Sequence, residues 1–111
     1  MNQQQYRLLC MDIDGTLLNS AHELPPASRE AVQSAAKNGV TICLMSARPP
    51  RAVFPIRDAL GVDGPLVCCG GGLILSGKSR MADSRLTRAC AQAVLQETQA
   101  RGIHLSVYRD L

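Results

Sequence analysis

The stretch 8-LLCMDIDGTLLNS-20 sets two aspartates, Asp12 and Asp14, at the end of an apolar run. Tyr6 to Met11 shows no polar alternation, which reads as a strand buried on both faces, as in parallel sheets. Side chains two apart on a strand share a face. If the strand continues through Asp12 and frays at Asp14, both carboxylates overhang the carboxyl end of the sheet, the rim where open α/β sheets bind ligands. Carboxylates this close repel each other unless a proton or cation lies between them. A hard divalent ion with oxygen ligands, such as Mg²⁺, resolves the repulsion. One carboxylate is then free to attack phosphorus and the other to move a proton. Gly15 allows a sharp turn, and Thr16 offers a hydroxyl and a backbone N–H. Asp-Gly is also a hairpin signal, with CMDI and TLL paired about a type I′ turn. Against the hairpin, NSAHELPP continues poorly as a second strand.

Outward from this stretch the chain alternates. A helix fits 27–38, with Pro25 and Pro26 before it, Ala31, Val32 and Ala35 as its stripe and Gly39 as its stop. VTICLM (40–45) is a second buried strand. A second helix fits 51–60, with Val53, Ile56 and Leu60 on one face and Pro55 near its start. Residues 66–69 form a third strand, which GGG at 70–72 breaks. A hairpin about SGK follows. A long helix fits 84–101, with Leu86, Cys90, Ala93 and Val94 along one side. IHLSVY (103–108) alternates, which predicts a half-exposed strand. Three buried strands joined by helices imply right-handed parallel crossovers and an α/β, Rossmann-like doubly wound parallel sheet. The change to alternating strands near residue 80 marks a second unit.

Composition narrows the function. The chain has 111 residues, 46% hydrophobic and 19% charged, with a formal charge of +3, which suits one small globular core. With three aromatics and no basic block, neither a base-stacking platform nor a nucleic-acid footprint is present. No apolar run approaches the roughly 20 residues of a membrane-spanning helix, and MNQQQYR lacks a signal-peptide pattern. The five cysteines lack metal-ligand or framework spacing, which predicts reduced thiols in the cytoplasm.

MDIDGTLLNS resembles the first motif of the haloacid dehalogenase superfamily of phosphatases, Asp-x-Asp-Gly-Thr-Leu/Val. The resemblance continues through GVTICLMSARPPRAV and ALGVDGPLVCCGGGLI and is similar to the Cof-type branch with a class IIB α+β cap. It implies that Asp12 is the nucleophile forming an aspartyl-phosphate and that Asp14 is the general acid/base. It implies that Asp12 and the backbone carbonyl of Asp14 bind Mg²⁺, and that Ser46 holds the phosphoryl group. Gly15, Thr16 and Arg48 are the other expected phosphate contacts. Residues 1–82 would form the amino-terminal part of the core and 83–111 the start of the cap. The expected substrate is a small phosphorylated metabolite, sugar-phosphate-like, with neither nucleic acid nor membrane as partner.

The chain departs from that pattern. Ser46-Ala47-Arg48 stands where the family usually has Thr-Gly-Arg, so Ala47 would strain the loop if positive φ were needed. Gly70-Gly71-Gly72 stands for Asn-Gly-Ala and reads either as a turn or as a phosphate cradle. The family's later lysine and its second acidic motif do not occur. The expectation is therefore an amino-terminal part of a longer protein, with weak or absent turnover and its first strand left as an apolar edge. His22 and His104 are expected to be exposed and without a role. The alternative reading is a non-catalytic fragment or an interaction protein that self-associates through that edge. A nucleotide-binding module using CGGGL is weaker, since no long helix follows the glycines directly.

Overall fold

The computed structural model describes residues 6–109. Residues 1–5, in the MNQQQYR run read above, and 110–111, at the end of the expected unit 83–111, lie outside the described residues. The strands are β1 (Leu8–Asp12), β2 (Thr41–Met45), β3 (Leu66–Cys68), β4 (Leu73–Ser76) and β5 (Ser79–Asp83). The helices are α1 (Pro26–Lys37), α2 (Pro50–Leu60) and α3 (Arg88–Ala100). All five strands form one sheet in the order β1-β2-β3-β4-β5. β1, β2 and β3 pair in parallel, and β4 and β5 add antiparallel. The Rossmann-like α/β sheet expected from the sequence is thus present, continued by the hairpin.

Local chemistry sets the boundaries. Pro25 and Pro49 stand at the N-caps of α1 and α2, each followed by a helical proline, where a missing N–H leaves no bond unmade. Gly61 closes α2 in the left-handed region, φ +68°, its N–H donating to the carbonyls of Arg57 and Asp58 at 3.0 and 3.1 Å. The parallel strands advance in one direction, so right-handed crossovers put α1 and α2 on the same face, where they touch. Ile13, Ile42, Leu44, Leu66 and Cys68 form the core there with Val32, Val53 and Leu60. Gly64 crosses close to β2: a methyl group on it would meet the Ile42 carbonyl oxygen at 1.8 Å.

Three expectations are corrected. Residues 103–109 form no strand; alternation alone supplies no ladder partner, and none of the described strands pairs there. α3 starts at Arg88 rather than Ser84, because the Thr87 hydroxyl caps it by accepting from the Cys90 N–H at 3.2 Å. None of its residues is buried, so its apolar stripe packs against no core. β1 is not buried on both faces. It is the outer strand, with Leu8 54% and Leu9 39% exposed, which is the edge anticipated above.

Candidate active site

β1 ends at Asp12, and the next residue, Ile13, is fully buried. Its carbonyl accepts from the N–H groups of Leu17 at 3.0 Å and Leu18 at 2.9 Å, which folds the chain back at once. The backbone is a compact turn and not the β-ribbon that Asp-Gly could also have signalled. Gly15 holds φ +77° with open space around its Cα, so backbone conformation and not crowding calls for glycine. The turn leaves both carboxylates exposed. Asp12 Oδ2 accepts from the Thr16 hydroxyl at 3.4 Å.

Asp14 is gripped from two sides. Arg48 donates from Nε to Oδ2 at 2.8 Å and from Nη2 to Oδ1 at 2.5 Å, a fork-on-fork pair of the strong kind. His22 Nδ1 stands 3.5 Å from Oδ1. The Arg48 bonds hold the Asp14 carboxyl below its ordinary 3.8, opposed in part by desolvation and helped by His22. Arg48 is raised by the same contact.

Ser46 lies just past β2 and is 7% exposed. Its N–H donates to Val67 at 2.8 Å, its carbonyl accepts from Gly70 at 3.1 Å and its hydroxyl accepts from the Arg48 N–H at 3.0 Å. The Arg48 carbonyl accepts from Cys69 at 3.0 Å. The two loops at the carboxyl ends of β2 and β3 are therefore stitched together. Ala47 has no positive φ, so the anticipated strain is not there; the left-handed conformation falls instead on Cys69, at +53°, and on Gly70, at +64°, where it costs glycine little. The N–H groups of Cys69, Gly70 and Gly72 all donate within these loops, and Cys69–Gly71 form a short 3-10 turn.

Asp12, Asp14, Gly15, Thr16, Ser46 and Arg48 thus all fall at the carboxyl end of β1 and β2. Arg48 is paired with Asp14, its side chain 32% exposed. His22, given no role above, joins the cluster because the Asn19 side chain accepts from Ala21 and Glu23, both at 2.9 Å. That turn holds His22 at φ +59°. The Asn at the head of NSAHE was the signal that could have shown it. Among the described residues no three of His, Cys, Asp and Glu stand together as a metal site. The oxygens of Asp12 and Asp14 suit a hard cation in kind but supply only part of the roughly six it takes.

Residues 9–111 match the model of the haloacid dehalogenase-like hydrolases, and the chain belongs to that family. It is 32% identical to the phosphoglycolate phosphatase of Thermoplasma acidophilum over 107 residues, 94% of this chain and 48% of that protein. It is 37% identical to the pyridoxal phosphate phosphatase YbhA of Escherichia coli over 65 residues, 59% of this chain and 24% of that protein. A haloacid dehalogenase-like hydrolase from Bacteroides thetaiotaomicron superposes with a TM-score of 0.79 at 25% identity, covering 88% of this chain and 39% of that one. A subclass IIB sugar phosphatase shares the fold, with a TM-score of 0.75 at 23% identity over 86% of this chain and 38% of its own. The chain spans less than half the length of these relatives. Among the described residues no helix is long and apolar enough to cross a membrane.

Proposed function

We propose that this chain carries the nucleophile-bearing half of a Mg²⁺-dependent phosphatase acting on a small, sugar-phosphate-like metabolite. The observation that carries the reading is Asp12. It is an exposed carboxylate at the carboxyl end of a parallel strand, with Thr16 bonded to it and the Ser46 loop at the end of the neighbouring strand. The family membership and the phosphatase relatives support the same chemistry.

In this reading Asp12 attacks phosphorus and forms an aspartyl-phosphate as the P–O bond to the leaving alcohol breaks. Ser46, Thr16 and Gly15 steady the phosphoryl oxygens. Asp14 withdraws a proton from the water that cleaves the aspartyl-phosphate, a base role that suits a carboxyl held ionised by Arg48. For Asp14 to protonate the leaving oxygen first, the Arg48 grip has to loosen, and that motion would also free Arg48 for the phosphate. The Asp12 carboxylate and the Asp14 carbonyl would hold Mg²⁺, which when bound neutralises phosphoryl charge. Residues 1–82 form the core part and 83–111 the start of the cap, supported by an α3 that buries nothing. Five free thiols favour a reducing, cytoplasmic setting.

Hydrolysis of p-nitrophenyl phosphate tests this. The expected result is slow turnover that requires Mg²⁺ and vanishes in Asp12→Ala. Turnover that survives Asp12→Ala overturns the reading. A second reading rests on the outer edge of β1, where exposed Leu8 and Leu9 flank a strand paired on one side. Two copies joining along that edge would satisfy its backbone groups.

A further inference from the structure

Cys10 of β1 and Cys43 of β2 are direct partners in the parallel register. Cys10 is exposed and Cys43 buried, and because they are register partners their side chains stand on the same face of the sheet. Cys43 alternates with Ile42 and Leu44, so it lies on the other face of the sheet from the main apolar cluster, to which it does not belong. Neighbouring strands run about 4.8 Å apart, within the roughly 4.4–6.8 Å between Cα atoms that a disulfide spans. In a parallel pair the Cβ directions do not converge, so such a bond is strained and easily reduced, the property of a reversible disulfide.

We propose that Cys10 and Cys43 are a modification site: a thiol pair that peroxide closes into a disulfide between β1 and β2 and that a dithiol reopens. Cys10 reacts first, since water and oxidant reach it. Its sulfur takes one oxygen of hydrogen peroxide to give the sulfenic acid, releasing one water. The Cys43 sulfur then attacks the Cys10 sulfur, the S–O bond breaks, and the hydroxyl leaves with the Cys43 proton as a second water. Burial, with Cys10 beside it, pushes the Cys43 thiol up to about 11, so Cys43 stays protonated until that second step. The cross-link would fall two residues before Asp12 and tie down the strand that carries it. It does not depend on the proposed activity.

Peptide mapping decides the point without any assay of turnover. The folded chain is treated with hydrogen peroxide, alkylated and digested with trypsin under non-reducing conditions. The cysteines fall in separate peptides: Cys10 in 8–29, Cys43 in 38–51, Cys68 and Cys69 in 58–78, and Cys90 in 89–101. The expected product is peptide 8–29 joined to 38–51 within one chain, with the loss of two hydrogens, reversed by dithiothreitol. In Cys43→Ala, Cys10 should stop at a sulfenic acid that dimedone traps; Cys10→Ser should give no link. If the wild-type chain links Cys10 only to another copy, oxidises Cys10 to the sulfinic acid without a link, or leaves Cys10 unmodified, the proposal is overturned. The wild-type map stands even if Cys43→Ala fails to fold.

Discussion

Arg48 holds both oxygens of Asp14, and a carboxylate held in this way titrates below its unfolded value. The linkage has a definite sign: the pair's stabilisation is present above 3.8 and is lost as pH falls through the depressed folded value. Arg48→Met should therefore raise the Asp14 pKa, read from its carboxyl carbon shift in an NMR titration, and flatten the acid limb of the stability profile. An unchanged shift would mean that the pair does not form in solution. Two glycines predict different costs. Gly15→Ala should cost about 1–2 kcal/mol, since only φ opposes it. Gly64→Ala drives a methyl into the Ile42 carbonyl and should cost at least the roughly 1–3 kcal/mol of an overpacked core, measured by urea unfolding. Asp12 and Asp14 were legible because two carboxylates after an apolar run are chemically conspicuous. Neither the Arg48 grip, which spans 34 residues, nor the close approach at Gly64 leaves a local pattern. The same holds for Cys10 facing Cys43, which depends on strand register.

The elements with their own signals were read to within a residue or two. α1 and α2 carry proline starts, apolar stripes and glycine stops, while β2 and β3 carry short apolar runs. Leu44, fully buried in β2, should cost about 2–5 kcal/mol as Leu44→Ala, with the unfolding midpoint lowered accordingly. Past residue 83 the helix was read, with its start four residues early, but the strand expected over 103–108 is absent for a physical reason. Alternation in 103–108 states which face would be apolar but not whether a partner strand exists, and the stripe of α3 finds no core to cover it. The exposed β1 edge makes its own prediction. If copies join there, Leu8→Lys should shift the sedimenting species to monomer, because a charge on an edge strand opposes pairing. A wild-type chain that is already monomeric would remove that reading.

Across the whole molecule, the rim at the carboxyl ends of β1 and β2 gathers groups from separate loops onto one surface: Asp12, Thr16, Asp14, His22, Ser46 and Arg48. Phosphoryl transfer depends chiefly on positioning and on neutralising charge. In the proposed reading this rim supplies Asp12 as the nucleophile and Arg48 as a cationic group, and Arg48 already pairs with the Asp14 carboxylate. The chemistry proposed at Asp12 would then be slow, so a trapped covalent species would report on it more directly than turnover. The decisive measurement is prolonged incubation with acetyl phosphate and Mg²⁺, borohydride trapping and mapping of the labelled residue by mass spectrometry. The account predicts a label on Asp12 that is absent without Mg²⁺ and absent in Asp12→Asn. A label on another residue, or none on Asp12 in the folded chain, would contradict it.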